Sequence, residues 1–179
     1  MGIPFKPYLK PLPVKEPDAP TAVLIVKNYD GLAVHSLLNI KRLFANYFKN
    51  IVFVSVGVVD TSTFSAAEVQ NLQRSTEKNL KNLVEYANDL GWHVEYRYSV
   101  GVRLVNELEK LCESIAQEFH NVVFFTGELV LEKENFLSRF LRKQTAYSLQ
   151  RRLKSEGLSL LILPVSIVDT MLFRDARLQ

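Results

Sequence analysis

Apolar residues along this chain gather in five short runs separated by longer segments of mixed character. The runs cover residues 21–29, 50–60, 92–101, 121–129 and 158–167. Two of them, 50–60 and 121–129, are almost continuously β-branched, aromatic or otherwise apolar. That composition is typical of strands buried on both faces of a parallel sheet. We therefore predict five β-strands, most of them inside such a sheet.

The four segments between the runs carry apolar residues at three- and four-residue spacing, which predicts amphipathic helices. These segments cover residues 30–48, 65–91, 103–119 and 136–157. Gly91 and Gly157 follow the last periodic positions of the second and fourth segments, where a left-handed residue commonly ends a helix. Strict alternation of strand and helix, with right-handed crossovers, predicts a doubly wound α/β fold with helices on both faces of the sheet.

The run at 92–101 differs from the others because it alternates. Its even positions from 94 to 98 hold valine and tyrosine, and its odd positions from 93 to 97 hold histidine, glutamate and arginine. Such alternation is typical of an edge strand. With the strands 21–29 and 121–129 at the centre, the pattern favours a five-stranded, Rossmann-like parallel sheet of order 3-2-1-4-5.

Proline divides the chain into an arm and a domain. Six of the seven prolines lie in the first 20 residues, so we predict an extended arm over residues 1–20. At ~3.1 Å per residue in polyproline II geometry, such an arm could reach ~60 Å. The α/β domain is predicted over residues 21–168. A C-terminal tail, 169–179, shows no clear period.

Composition narrows the class of protein. The chain has 22 basic and 19 acidic residues, a net charge of +3, which is too even for bulk binding of nucleic acid. The single cysteine, Cys112, excludes an internal disulfide, and its helical setting predicts a buried thiol. No signal-peptide pattern and no run of ~20 apolar residues is present, so we expect this chain to be soluble by itself.

Candidate chemistry is sparse. Ligands of doubly wound sheets bind beyond the carboxyl ends of the strands, where the strand order reverses. There is no GxGxxG, GxxxxGK[ST] or GxSxG motif. Asp30 and Asp60 precede a helix and a polar turn, which predicts capping roles. The histidines have no metal-ligand spacing, and we expect them at the surface or at sheet edges. We therefore predict no catalytic residue, no metal site and no enzymatic activity.

One basic stretch leaves two alternatives open. Arg142 and Lys143 stand directly before Thr145. A new helix beginning at Thr145 would offer free N–H groups beside two cations, an arrangement that suits a phosphate. The alternative is one continuous helix from Phe136 to Lys154, with the cations solvated in its middle.

The alternation of strands and helices and the predicted strand order resemble the universal stress protein fold. In that family a nucleotide lies over the point where the strand order reverses, and glycines after strand four hold its phosphates. The resemblance implies ATP or AMP as the possible cofactor. It implies these candidate cofactor-binding residues: Asn28, Asp30, Gly127, Arg142, Lys143 and Thr145.

This sequence departs from that glycine pattern. Gly127 matches the first glycine, but VLEKEN (130–135) has no second one, and Lys143 or Gln144 replaces the last. A Cβ atom at such positions crowds the approach of a phosphate to the backbone. We therefore expect no bound cofactor, and keep a stand-alone nucleotide-binding module as the alternative.

A second resemblance spans about residues 20–168. The segments HSLLNIKRLFANYFKNIVFVSVGVVD, QTAYSLQRRL and LLILPV are similar to the cytoplasmic C-terminal domain of bacterial permeases of the amino acid–polyamine–organocation superfamily. Related cation–chloride cotransporters carry a similar module. The resemblance implies a non-catalytic regulatory or assembly domain at the cytoplasmic face of the cell membrane, whose partner is the membrane-embedded transporter domain of the same polypeptide.

The same resemblance gives the arm a role. The arm would be the linker that leaves the last membrane helix, and Met1 would then not be the native start. Phe5, Tyr8 and the lysines Lys6, Lys10 and Lys15 suit a position near anionic lipid. A homodimer through 92–101 or through the last strand is a further expectation, and we expect no nucleic-acid partner.

Overall fold

The computed structural model describes the backbone of residues 13–62, 65–130 and 136–166, and the side chains of the same ranges except 129–130, 136–143 and 166. Strands and helices alternate along the described chain. The strands are β1 Thr21–Ile25, β2 Asn50–Val58, β3 His93–Gly101, β4 Val122–Val130 and β5 Leu160–Ser166. The helices are α1 Gly31–Phe44, α2 Ala66–Asp89, α3 Leu104–Glu118 and α4 Phe136–Ser155.

The strands form one parallel sheet in the order β3-β2-β1-β4-β5. The predicted order and fold class are therefore confirmed. From β1 the chain first builds the sheet to one side through β2 and β3, and then returns to build the other side through β4 and β5. The connections that follow β1 and β4 consequently diverge at the carboxyl edge of the sheet. A cleft is expected where they separate.

Each face of the sheet is covered by two helices. On the first face, Phe53 and Phe125 pack in a core with residues of α1 and α2. On the second face, Val52 and Phe124 pack in a core with residues of α3 and α4. Phe124 and Phe125 are successive residues of β4 on opposite faces, and both are fully buried. Burial on both faces is the physical reason why the first part of this strand, residues 122–125, is continuously apolar.

The alternation predicted for the third strand is confirmed. The Tyr96 hydroxyl donates to Glu77 of α2 at 3.2 Å, on the first face. The Arg97 guanidinium donates to Glu118 of α3 at 2.9 Å, on the second face. β3 is thus an edge strand whose two faces contact different helices.

Asp30, Asp60, Gly91 and Gly157 form the helix caps and the turn that the sequence predicts. The Asp30 carboxylate accepts from the Ala33 amide at 3.0 Å and caps α1, a contact that satisfies one of the free N–H groups at a helix start. Asp60 accepts from the Ser62 amide at 2.8 Å, in the predicted polar turn. Gly91 and Gly157, at φ +92° and +76°, follow the ends of α2 and α4 in the left-handed region that favours glycine.

The single thiol and one histidine are buried. Cys112 is buried, which confirms the predicted packed thiol, and burial together with the charge of Glu113 raises its pKa to about 12. His35 is buried on α1, and the expectation of a surface position was wrong for it. Asn39, one turn further along α1, donates to the Pro164 carbonyl at 3.5 Å, so this flank of α1 lies against β5.

The described part of the arm, residues 13–20, lies on the amino edge of the sheet. The Asn50 side chain accepts from the Glu16 amide at 3.1 Å and donates to the Glu16 carbonyl at 2.7 Å. The Lys15 ammonium lies 3.2 Å from Glu95 and 3.4 Å from Glu118. These contacts attach the end of the arm to the domain, opposite the carboxyl edge.

Among the described residues, no helix combines the length and the apolar character needed to cross a membrane.

Candidate functional site

A cleft of about 590 Å³ opens over the carboxyl ends of β1, β2 and β4. Its volume falls within the ~300–1,000 Å³ of typical small-molecule sites. Ile25 and Val56 form part of the floor, and Leu104, Leu108 and Leu149 form an apolar wall where α3 and α4 meet. The cleft lies where the strand order reverses, which is the position predicted from the sequence.

The opposite wall is mixed and carries polar groups beside apolar residues such as Leu32 and Leu72. Ser75, Thr76 and Asn79 of α2 and Ser36 of α1 line it, and the side chain of Thr76 is buried. Hydroxyl and amide groups can both donate and accept hydrogen bonds without carrying charge. The cleft therefore combines one apolar wall with one wall that adds neutral polar groups to apolar ones.

The structure brings four of the predicted site residues to this cleft: Asn28, Asp30, Gly127 and Thr145. The backbone of Arg142 and Lys143 lies within α4, but their side chains lie outside the described residues. Asn28 and Asp30 are exposed at the mouth of the cleft. The Asp30 carboxylate is also the cap of α1, so one of its oxygens is occupied by a backbone amide.

Gly127 lies inside its strand, because β4 continues to Val130. A Cβ atom at this position would lie 2.1 Å from the Ser36 hydroxyl oxygen and 3.0 Å from Leu32 Cδ1. The glycine is thus required by the close packing of α1 on β4. Helix α1 occupies the space in front of the Gly127 backbone, so a phosphate cannot approach the Gly127 Cα from this side.

Helix α4 is continuous from Phe136 to Ser155. Of the two alternatives for the basic stretch, the single helix is confirmed and the helix start at Thr145 was wrong. Because residue 145 lies inside the helix, its backbone N–H is used within the helix and is not available to an anion. Thr145 contributes to the cleft through its position on α4, not through a helix terminus.

Charge is scarce in the cleft. Among the described residues that line it, Lys27 is the one cation and Asp30 the one carboxylate. The described residues also contain no group of three or more histidine, cysteine, aspartate or glutamate side chains placed to hold a metal ion. The arrangement favours a ligand that needs few ionic contacts.

Sequence reasoning missed the polar wall on α2. Thr76 occupies a position on the buried stripe of this helix, four residues before Leu80, which is itself buried. The other buried positions of α2 are apolar, so a hydroxyl residue among them could have indicated from the sequence that the helix faces a polar site there. It marks the place where the helix faces a cleft instead of the core.

Comparison with known proteins supports the fold. No family model matches this sequence, and no curated protein matches it. Among solved structures, a universal stress protein in complex with cAMP is similar, with a TM-score of 0.53 and 16% sequence identity. The match covers 82% of this chain and 97% of that chain. The described domain therefore has a universal-stress-protein-like α/β fold.

The packing at Gly127 generates a stability prediction. We expect Gly127→Ala to destabilise the protein by about 1–3 kcal/mol, because the new methyl group overlaps the Ser36 hydroxyl. The double variant Gly127→Ala/Ser36→Ala should lose less than the sum of the two single changes. Urea unfolding of the four proteins measures this coupling. Strict additivity would contradict the proposed contact.

Proposed function

We propose that this chain is a non-catalytic binding module whose cleft takes a nucleoside or a nucleotide of low charge. The observation that carries the proposal is the cleft itself, since it lies at the reversal of the strand order and its described lining residues include one cation and one carboxylate. The similar universal stress protein was solved in complex with cAMP. That complex concerns the other protein, and it supports the choice of ligand class here.

The walls of the cleft match the parts of such a ligand. An aromatic base can stack on the apolar wall formed by Leu104, Leu108 and Leu149, where its burial is favourable. The hydroxyls and amides of Thr76 and Asn79 can hydrogen-bond the base edge or the ribose. Lys27 at the mouth can neutralise a single phosphate.

The same walls argue against a triphosphate. The Gly127 backbone is covered by α1, α4 offers no helix start at Thr145, and Asp30 places a negative charge at the mouth. Among the described lining residues, Lys27 is the one cation that could pair with a polyphosphate, so most of the ligand's charge would have no partner there. We therefore expect adenosine, AMP or cAMP to bind more tightly than ATP.

Absence of catalysis is part of the proposal. Asp30, the one carboxylate among the described lining residues, is engaged as a helix cap and has no histidine beside it in that lining. A general base needs a proton-accepting group free to reach the substrate. We propose binding without turnover.

A matched pair of variants on α4 tests the cleft. Ala146 lines it, whereas its neighbour Tyr147 is exposed. We expect Ala146→Trp to fill part of the cavity and weaken the binding of AMP or cAMP at least tenfold, measured by titration calorimetry. Tyr147→Trp should bind as the unchanged protein does. Equal affinity of both variants, or no heat from any nucleoside ligand at millimolar concentration, contradicts the proposal.

A second candidate function rests on the resemblance to permease domains. We propose that the module is the cytosolic domain of an amino-acid permease-like transporter, with a regulatory or assembly role at the cytoplasmic face of the cell membrane. The three similar segments form most of α1 with β2, the second half of α4, and β5, and the first two contribute residues to the lining of the cleft. The arm joins the domain at the opposite, amino edge. A linker from the membrane would therefore hold the cleft facing away from the bilayer.

The native gene product tests this second candidate. We expect the reading frame upstream of Met1 to encode hydrophobic spans. An antibody against the domain should then detect, in the membrane fraction of cells, a polypeptide much larger than the 20.5 kDa of this chain. A stop codon directly upstream, with a 20.5 kDa product in the cytosol, contradicts it.

A homodimer through an edge strand stays a prediction, and the structure favours β3 as the pairing edge. On β5, Gln150 covers the Leu160 carbonyl at 2.8 Å, and Pro164 has no N–H to donate. On β3, Arg97 likewise covers the Tyr96 carbonyl at 3.0 Å, but β3 contains no proline, and this difference favours β3. Light scattering of the purified chain tests the dimer, and a mass near 20.5 kDa contradicts it.

A further inference from the structure

One hydroxyl group in the cleft has no hydrogen-bond partner among the described residues. Thr76 of α2 lines the cleft and is only 7% exposed, yet its side chain bonds to no other described group. Its oxygen is not enclosed either, so it is open to whatever occupies the cleft. A buried polar group ordinarily bonds to protein or to ordered water. The Thr76 hydroxyl therefore points to a partner inside the cleft.

Two other buried hydroxyl groups near the carboxyl edge are satisfied within the protein. Ser36 of α1 donates to the Leu32 carbonyl at 2.7 Å, and Ser55 of β2 donates to the Lys27 carbonyl at 3.5 Å. Both serines are 1% exposed. A hydroxyl group has one hydrogen to donate, and in both serines that hydrogen is used. Thr76 is the member of this set whose hydrogen is left for a ligand.

Close packing of α2 on β2 fixes the depth of Thr76 in the cleft. A Cβ atom at Gly57 of β2 would lie 2.8 Å from Leu72 Cγ, so the helix approaches the strand closely at that level. Thr76 lies one turn after Leu72 on the same side of α2. Leu80, one turn further along, is buried in the core of the first face. The Thr76 hydroxyl thus lies below the rim, where the cleft meets the core.

The charged neighbours of Thr76 on α2 do not serve the cleft. The Glu77 carboxylate accepts from the Tyr96 hydroxyl at 3.2 Å and pairs with Lys81 at 2.9 Å, on the side of α2 that contacts β3. Lys78 is exposed, and neither residue 77 nor residue 78 is among the described residues that line the cleft. Because an ion buried without a partner is unfavourable, we expect the ligand group that meets Thr76 to be polar and uncharged.

Thr76 and the apolar wall of the cleft lie on opposite faces of the sheet. Leu108 and Leu149 of that wall belong to the core of the second face, whereas α2 packs on the first face. A base stacked on the apolar wall would therefore extend the rest of its nucleoside over the carboxyl edge toward α2. The part joined to the base is the ribose, whose hydroxyl groups are uncharged and can both donate and accept hydrogen bonds.

We propose that Thr76 is a specificity-determining residue whose hydroxyl group hydrogen-bonds a ribose hydroxyl of the ligand. This inference rests on the proposed binding of a nucleoside in the cleft, and it adds a requirement for ribose over deoxyribose. It also predicts a property of the protein without ligand. The Thr76 hydroxyl contributes no protein contact there, so an apolar group of the same shape should replace it without loss of stability.

Titration calorimetry with ligands that carry no phosphate tests the contact. We expect the unchanged protein to bind adenosine ~3–10-fold more tightly than either 2′-deoxyadenosine or 3′-deoxyadenosine, whichever lacks the hydroxyl that meets Thr76. Thr76→Val should abolish this preference, and Thr76→Ser, which keeps a hydroxyl group, should retain it. Thr61→Val is the matched control, because it makes the same change at an exposed position outside the described lining. This control should also retain the preference.

Urea unfolding of the proteins without ligand separates a binding hydroxyl from a structural one. Thr76→Val should have an unchanged or higher urea midpoint, and a lowered midpoint overturns the inference. The inference is also overturned, with the proposed function intact, if the unchanged protein binds adenosine and both deoxyadenosines equally, or if the preference survives in Thr76→Val. Failure of every nucleoside to bind the unchanged protein overturns the inference and the proposed function together.

Discussion

The described structure depends on one short strand that is hydrogen-bonded on both sides. β1 has five residues, pairs with β2 and β4 in parallel register, and has Ala22, Val23 and Leu24 fully buried. Because every backbone group of a buried strand needs a partner, β1 requires both neighbours at once. The chain can supply them only by building the sheet outward to one side and then returning to the other. That return separates the two connections at the carboxyl edge and creates the cleft.

The two edges of the sheet consequently serve different purposes. At the carboxyl edge, α1 packs directly on Gly127, so the wall of the cleft is set by the same contact that holds this helix on the sheet. The described lining of this site is largely apolar, with neutral polar groups and one cation, and this is the basis for proposing a ligand of low charge. At the amino edge, Asn50 and the cluster around Glu95 hold the arm. The cleft and the attachment of the arm are thus separated by the length of the strands.

Local chemistry made much of this fold predictable. Continuous apolar runs indicated strands buried on both faces, Asp30 indicated a helix cap, and Gly91 and Gly157 indicated helix ends; the structure confirms each of these. The position of the cleft followed from the strand order. These features depend on residues close together in sequence or on general rules of chain topology.

Contacts between distant residues were not predictable in the same way. The role of Gly127 depends on Ser36, which is far away in the chain, and the glycine alone suggested a phosphate loop. The contact between Asn50 and Glu16 spans 34 residues, so no local period reveals it. His35 looked like a surface residue because its burial comes from a flank of α1 that lies against β5. Thr76 carried a local signal, but its meaning required knowing which end of α2 faces the cleft.

The central claim is that the reversal of strand order at β1 creates a binding site for a low-charge nucleoside ligand at the carboxyl edge. The most direct test is to titrate cAMP into the 15N-labelled chain and map the amide shifts by NMR. The account predicts saturable shifts around residues 27–30, 126–127 and 145–146, with none around residues 90–93 at the amino edge. Shifts confined to the amino edge, or an unchanged spectrum at millimolar cAMP, would contradict it.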